Sequence, residues 1–389
     1  MIGFKNVNVV FPDRIRNTCV VVSDGKITDI CDRFDENEIK AVDGNGLYLS
    51  PGFIDAHVHG GGNFSAMSKN PNDIVKMAEA HLKFGTTSIV PTTLAAPIKQ
   101  LKEAVLSIKE ASALSKSANI LGAHLEGPYL SLKYKGAQSA ENILNPIDDP
   151  PEEVLDAWDK ILMMGAAPET KGCLSLGDEL KKRGIVPSVA HSAASFETVE
   201  EAAKHGYCDI THIYSACSSC FKVNLFRVAG VVEAGLVMDE FTTQAIADLK
   251  HLPRGVLKLI YKSKGPEKMY LITDGLEFSA SDVKENTVYP QENGVSVIYE
   301  DGVMKLADHS ALAGSVATQS VCVKNMRSVG VPLYSAVRMA SLTPAEVLGF
   351  GKTKGKIEKG YDADLILFDE NINVKASVVN GDVKFGIDL

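Results

Sequence analysis

The sequence predicts an α/β fold: a (β/α)8 TIM-like barrel carrying a small β-sandwich domain formed by both chain ends. Three observations lead there. Eight short apolar runs alternate with helix-like stretches through the middle of the chain, β-branched alternation fills both ends, and no Gly-x-Gly-x-x-Gly follows the first run. Strand alternating with helix argues for a parallel sheet, and eight buried strands argue for closure into a barrel. A doubly wound open sheet is the alternative, but it calls for that glycine fingerprint after its first strand.

The ends come first. "GFKNVNVVF", "TCVVVSDGKITDIC" and "GLYLSPG" read as short strands, with Asp24-Gly25 as a hairpin turn. "DADLILFDE" and "VKASVVNGDVKFGI" repeat the style near the C-terminus, with Asn380-Gly381 as the turn. Residues 1–51 plus 350–389 are therefore expected to build the sandwich, and 52–349 the barrel.

The barrel runs are "GFIDAHVH" (52–59), "TTSIVPTT" (86–93), "NILGAHLEG" (119–127), "LMMGAAPE" (162–169), "VPSVAHS" (186–192), "CDITHIYSA" (208–216), "TTQAIADLKH" (242–251) and "KMYLITDG" (268–275). "PNDIVKMAEAHLKFG", "IKQLKEAVLSIKEAS", "FETVEEAAKHG" and "LPRGVLKLIYKS" are amphipathic helix candidates between them.

Composition narrows the function. The chain has 389 residues, 45% hydrophobic and 23% charged, an ordinary balance for a soluble globular protein. The formal charge is −9 and no basic run stands out, so nucleic acid is not an expected partner. No apolar run approaches the roughly 18 residues of a membrane span, and "MIGFKNVNVVF" lacks the charged and apolar regions of a signal peptide. Seven scattered cysteines, an odd number, read as reduced thiols of a cytoplasmic protein.

Barrel active sites lie at the C-terminal ends of the strands, so the residues ending each run matter most. His57 and His59 end the first run, two positions apart and hence on one side of a strand. Glu126 ends the third run, His191 the fifth, His212 lies in the sixth, and Asp274 ends the eighth. Six metal-ligand types on five separate runs point to a metal centre. Imidazole and carboxylate suit zinc first, with iron or manganese as alternatives. One or two ions per chain are expected, with Glu126 able to bridge the pair His57–His59 and the pair His191–His212. A divalent ion acidifies bound water towards about pKa 7 and polarises a carbonyl. Asp274 can then accept the water's proton and pass it to a departing amine, which describes hydrolysis of an amide or related bond.

Other polar residues read differently. His81 and His205 sit in helix-like stretches and are expected to face solvent. His124 shares the strand face of Glu126 and either orients the site or is a satisfied core histidine. Asp55 lies one layer below His57, placed for packing or a hydrogen bond rather than ligation. "CSSC", Cys217 to Cys220, reads as two free thiols in a loop, since a structural zinc needs two further ligands.

These motifs resemble the amidohydrolase superfamily and, within it, the N-acetylglucosamine-6-phosphate deacetylases. "SPGFIDAHVHG", "HLEGPYL", "KGAQ", "VAHS", "THIYSA", "ITDG" and "LAGS" occur in the family's order over essentially the whole chain. The resemblance implies removal of the acetyl group from an amino-sugar 6-phosphate. It assigns Glu126, His191 and His212 as principal metal ligands and Asp274 as acid/base. It makes Ala137, Gln138, Ser215, Ala216, His251 and Leu312 substrate contacts, and Arg227, or else Lys222, the phosphate-binding cation. In the family a histidine is common in the segment matched by Ala137 and Gln138, asparagine is usual at Ser215, and "DGxH" is the usual form of the segment ending at His251. The small-molecule partner is thus a sugar phosphate, and a homodimer is expected because such groups can cross a dimer interface. Three rivals stand beside this reading. An N-acetylgalactosamine-6-phosphate deacetylase fits the substrate-side departures. A ring-opening relative would need a bridging lysine in the fourth run, which has none. A catalytically silent binding protein would have no use for Asp274.

Overall fold

The computed structural model describes residues 1–291 and 295–386. Both chain ends enter one eight-stranded sheet. Ile2–Val10, Ile15–Ser23, Lys26–Cys31, Lys40–Asp43 and Tyr48–Pro51 come from the N-terminal side, and Leu365–Phe368, Val374–Val379 and Asp382–Phe385 from the C-terminal side. The halves join where Tyr48–Pro51 pairs antiparallel with Leu365–Phe368. Phe4, Val7, Val9, Val20, Leu49 and Leu365 form its core. Both expected hairpin turns are present: Asp24 and Gly25 have φ of 51° and 75°, Asn380 and Gly381 50° and 82°. Two successive positive values are what a two-residue type I′ turn requires.

All eight expected runs supply barrel strands: Phe53–Val58, Thr86–Thr93, Ala123–Glu126, Ile161–Ala166, Val186–Val189, Asp209–Ile210, Thr242–Ile246 and Met269–Ile272. Each pairs parallel with the next. The ring closes through a parallel bridge between Val58 and Gly275. Helices Pro71–Leu82, Ile98–Leu114, Cys173–Arg183, Phe196–Lys204, Val231–Val237 and Arg254–Lys268 connect the strands. Alternate residues divide between two cores. Ile54, Val90, Met163, Ile246, Tyr270 and Ile272 fill the barrel interior above Ala345 and Leu348. Phe53, Ile89, Leu125, Met164, Val189 and Leu271 pack outward onto the helices.

One helix corrects the sequence reading. Pro71–Leu82 begins with Asn70, whose side chain accepts from the Asn72 amide, and has proline in its first turn. Its buried stripe is Ile74, Met77, Ala78, His81 and Leu82. His81 is therefore fully buried rather than solvent-facing. It continues the apolar i, i+3, i+4, i+7 spacing, and its Nε2 donates to the Gly60 carbonyl at 2.9 Å. That contact braces the glycine turn behind His59. His205 caps Phe196–Lys204, half-buried, with Nδ1 2.7 Å from Asp178.

The remaining elements had no counterpart in the sequence reading. Phe221–Val223 and Phe226–Val228 form a hairpin, and Thr287–Pro290, Ser296–Glu300 and Val303–Leu306 an antiparallel sheet after the eighth barrel strand. Among the described residues, no helix is long and apolar enough to cross a membrane.

The closing seam lies directly under the mouth of the barrel. Asp55, fully buried on the first strand, accepts the Thr273 hydroxyl at 2.6 Å and the Thr273 amide at 3.2 Å beside the eighth. Burial pushes its pKa up to about 7, and the Thr273 bonds offset only part of that rise. Replacing Asp55 by alanine removes the acceptor of three buried donors, the Thr273 hydroxyl and amide and the His57 amide at 3.4 Å, and each such orphan costs about 1–3 kcal/mol. Urea unfolding of Asp55→Ala should show a loss of that order, with Asp55→Asn losing less because it keeps an acceptor. Equal stability of parent and Asp55→Ala would remove Asp55 from the seam.

Candidate functional site

Four imidazoles and two carboxylates converge at the C-terminal mouth of the barrel. Glu126 lies at the centre. Its Oε1 is 2.8 Å from His212 Nε2, 3.1 Å from His191 Nε2 and 3.5 Å from His57 Nε2. Its Oε2 is 3.3 Å from His59 Nε2. Asp274 Oδ1 completes the ring, 3.1 Å from His59 Nε2 and 3.5 Å from His57 Nε2. All six side chains are buried or nearly so. Two donor groups emerge: His57, His59 and Glu126 on one side, and Glu126, His191 and His212 on the other.

The opposite edge of each imidazole explains its orientation. Nδ1 of His57 faces Gln244 Oε1 at 2.9 Å, His59 the Thr92 carbonyl at 3.1 Å, His191 the Tyr134 carbonyl at 2.9 Å, and His212 the Ser215 carbonyl at 3.2 Å. An oxygen that can only accept calls for a proton on Nδ1, so the Nε2 lone pairs all point inward. Four outer oxygens thus fix four tautomers. Gln244 is held in turn, donating to Asp209 Oδ2 at 2.8 Å. Asp209 also accepts from Ser188 and Thr242, so a buried polar layer supports His57 from below.

Strand geometry and backbone strain place the rest. His57 and His59 share a side because they are two residues apart at a strand end. His191, His212 and Asp274 follow their strands at φ of 44°, 25° and 48°. Such left-handed backbone in non-glycine residues costs of order 1–3 kcal/mol each and persists where surrounding structure enforces it. Here the enforcement is visible: the Asp274 amide donates to the His57 carbonyl at 2.9 Å, and Glu169 accepts Ser192 Oγ at 2.7 Å beside His191. His124 packs edge-on against His57, ring centres 4.6 Å apart, with Nδ1 3.4 Å from Thr92 Oγ1. Burial holds its pKa well below the usual histidine value.

The electrostatics ask for positive charge. Burial pushes His57 down to about 4 despite Glu126 and Asp274. Burial also opposes charge on His59, yet hydrogen bonds to Asp274 and Glu126 carry it up to about 10. Asp274 is lowered to about 2: burial resists, but His59, His57 and His212 outweigh it. Among the described residues, no lysine or arginine forms an ion pair with Glu126 or Asp274. Four inward nitrogen lone pairs around two buried carboxylates fit a divalent cation, the species that neutralises such a site without occupying the lone pairs with protons.

Above the centre opens a cavity of about 700 Å³. Ala137, Gln138, Ser215, Ala216, His251 and Leu312 all line it, together with His59, Glu126, His191, His212 and Asp274. His251 Nδ1 is 2.7 Å from Asp248, leaving Nε2 free to face a ligand. Gln138 does more than line the wall, because its amide donates to Glu126 Oε2 at 2.7 Å. Arg227 and Lys222 stand elsewhere. They are cross-strand partners on the exposed hairpin, outside the cavity lining. Cys217 and Cys220 are free thiols. Among the described residues, neither joins a group able to hold a metal. Sequence reasoning missed Gln244, Thr92 and Tyr134. A lone glutamine inside an apolar run was a usable signal for Gln244, whereas backbone carbonyl acceptors such as those of Thr92 and Tyr134 leave no trace in residue type.

Comparison with known proteins agrees with this architecture. The amidohydrolase family model matches residues 48–388. An N-acetylglucosamine-6-phosphate deacetylase of Bacillus subtilis is 31% identical, over 98% of this chain and 96% of its own length. The solved N-acetylglucosamine-6-phosphate deacetylase of Pasteurella multocida superposes with a TM-score of 0.91 at 30% identity, covering 98% of this chain and 99% of that one. The Thermotoga maritima enzyme of the same name gives 0.87 at 31% identity, covering 99% and 100%. With the barrel, the sandwich and the strand-end donor set in place, the chain belongs to the amidohydrolase family, among the N-acetylglucosamine-6-phosphate deacetylases.

Proposed function

We propose that this protein hydrolyses the acetamide of N-acetylglucosamine 6-phosphate, giving glucosamine 6-phosphate and acetate. The observation that carries the reading is the inward convergence of four Nε2 atoms on Glu126 and Asp274, in a chain whose relatives bear that name over nearly their whole length. His57, His59, Glu126, His191, His212 and Asp274 would hold one or two divalent ions, with zinc our first choice by ligand type. Such an ion supplies acidified water and a polarised carbonyl.

The chain's own groups do the rest. Asp274 accepts the proton of the attacking water at its carboxylate and returns it to the amine nitrogen as the C–N bond breaks. The water oxygen ends in acetate, and the sugar leaves as a free amine. The barrel mouth keeps both carboxylates out of bulk water, which strengthens every polar contact at the reacting carbon. The backbone of Ser215 and Ala216, with His251, receives the phosphate at the cavity's outer end, while Ala137 and Leu312 border the sugar.

Arg227 fits this picture through a second copy of the chain. The hairpin that carries it exposes Val223, Leu225 and Phe226, at 47%, 91% and 77% of full accessibility. An apolar tip of that kind calls for a covering surface. A homodimer would cover it and carry Arg227, or Lys222 beside it, towards a partner's cavity. Seven free thiols support a reducing, cytoplasmic setting.

Acetate release from a panel of acetylated glucosamine, galactosamine and mannosamine, each with and without 6-phosphate, tests the substrate. Fastest release from N-acetylglucosamine 6-phosphate is expected. Equal rates without phosphate would refute the role of His251 and Arg227. Asp274→Asn should lower kcat by about 10²–10⁴, the usual worth of a positioned acid/base; unchanged acetate release would sink the mechanism. His57→Ala with His59→Ala should reduce the metal bound per chain, counted by atomic emission, and unchanged content would overturn the two-ion arrangement.

A further inference from the structure

Family resemblance makes Gln138 a substrate contact, but both ends of its amide are engaged elsewhere. The Ala95 backbone amide donates to Gln138 Oε1 at 3.0 Å. An N–H can only donate, so the oxygen of the side-chain amide must face Ala95 and the nitrogen must face away. That nitrogen donates to Glu126 Oε2 at 2.7 Å. Gln138 is itself buried, at 7% exposure, and its backbone amide closes a turn onto Lys135 at 3.0 Å. The same loop supplies the Tyr134 carbonyl that orients His191.

Glu126 has a divided task. Oε1 serves His191 and His212, and Oε2 looks towards His59. Those three contacts come from groups that a bound ion would turn towards itself, so none of them fixes the carboxylate's torsion independently of metal. The Gln138 bond does, because it is anchored through Ala95 to the end of the second barrel strand. We propose that Gln138 is a positioning residue for Glu126. It locks the carboxylate so that Oε2 is presented to the His57–His59 side, and it thereby sets how firmly the more weakly held ion binds. This rests on the metal reading given above.

Zinc titration of the chelator-stripped full-length protein, followed by calorimetry with a competing chelator, tests it. Gln138→Met keeps the length of the side chain and removes the donor. It should weaken the weakest-bound zinc by about 10-fold or more, the usual scale for a partner of a ligating carboxylate. Gln138→His retains an N–H donor and should keep zinc affinity close to the parent. At limiting zinc the methionine variant should lose kcat, recover it at saturating zinc, and hold KM unchanged. Should Gln138→Met fail to fold, Gln138→Ala carries the same expectation, since cavity water can then reach the Ala95 amide. Parental zinc affinity in a folded methionine or alanine variant, or a defect confined to KM, would overturn the proposal and return Gln138 to the substrate. A parent chain that binds no zinc would instead overturn the metal reading itself.

Discussion

A carboxylate shut away from water has to be surrounded by donors or balanced by a cation, because its ionised form otherwise costs several kcal/mol to bury. Glu126 is 2% exposed, and the rest of this architecture follows from that constraint. Four imidazoles approach it, each turned by an oxygen on its outer edge, so the centre receives lone pairs rather than N–H groups. Two buried carboxylates draw positive charge into such a centre, which without a cation falls to a proton on His59. A divalent cation would meet the same demand and leave the imidazole nitrogens free to ligate it.

The barrel is what lets residues from 57 to 274 in the chain meet within a few ångströms. Parallel strands bring all their C-terminal ends to one rim, so one residue per strand suffices. The rim also has to bear strain. His191, His212 and Asp274 keep left-handed backbone; the Ser131 amide and the His57 carbonyl tie His191 and Asp274 to other segments, while His212 is held locally, its carbonyl accepting the Ser215 amide. Asp55 and Thr273 beneath the seam, and the Gln244–Asp209–Ser188 layer beneath His57, show where the stabilising interactions concentrate: directly under the strained positions.

How much of this was legible depended on how local the signal was. The eight strands and the two hairpin turns could be read because period, apolarity and Asp-Gly or Asn-Gly are local signals. The strand-end ligand types were readable because a barrel turns chain order into a ring. His81 was misread although its signal was present: it continues the stripe Ile74, Met77, Ala78 at the next turn. The sheet of residues 287–306 was passed over for a different reason. Its Asp301-Gly302 turn, with φ of 57° and 74°, follows the last barrel run, beyond the alternation of strand and helix that marks the barrel. The role of Gln138 was not legible at all, because it depends on the amide of Ala95, some forty residues away and invisible as a residue type.

The donor cluster and the cavity wall above it are built from different material. His57 and Glu126 lie within barrel strands, and His59, His191, His212 and Asp274 follow within two residues of strand ends, where the packed interior tolerates little change. Gln138, Ser215 and His251 lie on loops, which vary at small cost to the scaffold. His251 shows how a loop can still be precise. Asp248 accepts the amides of Lys250 and His251, each at 2.8 Å, and the His251 imidazole at 2.7 Å. Those three bonds hold Leu249 at φ of 64°, a conformation in which a side chain is strained and which glycine adopts freely. The turn keeps its shape without a glycine because Asp248 enforces it. A cavity loop can therefore change its sequence and still deliver the same imidazole, provided the carboxylate that folds the loop stays.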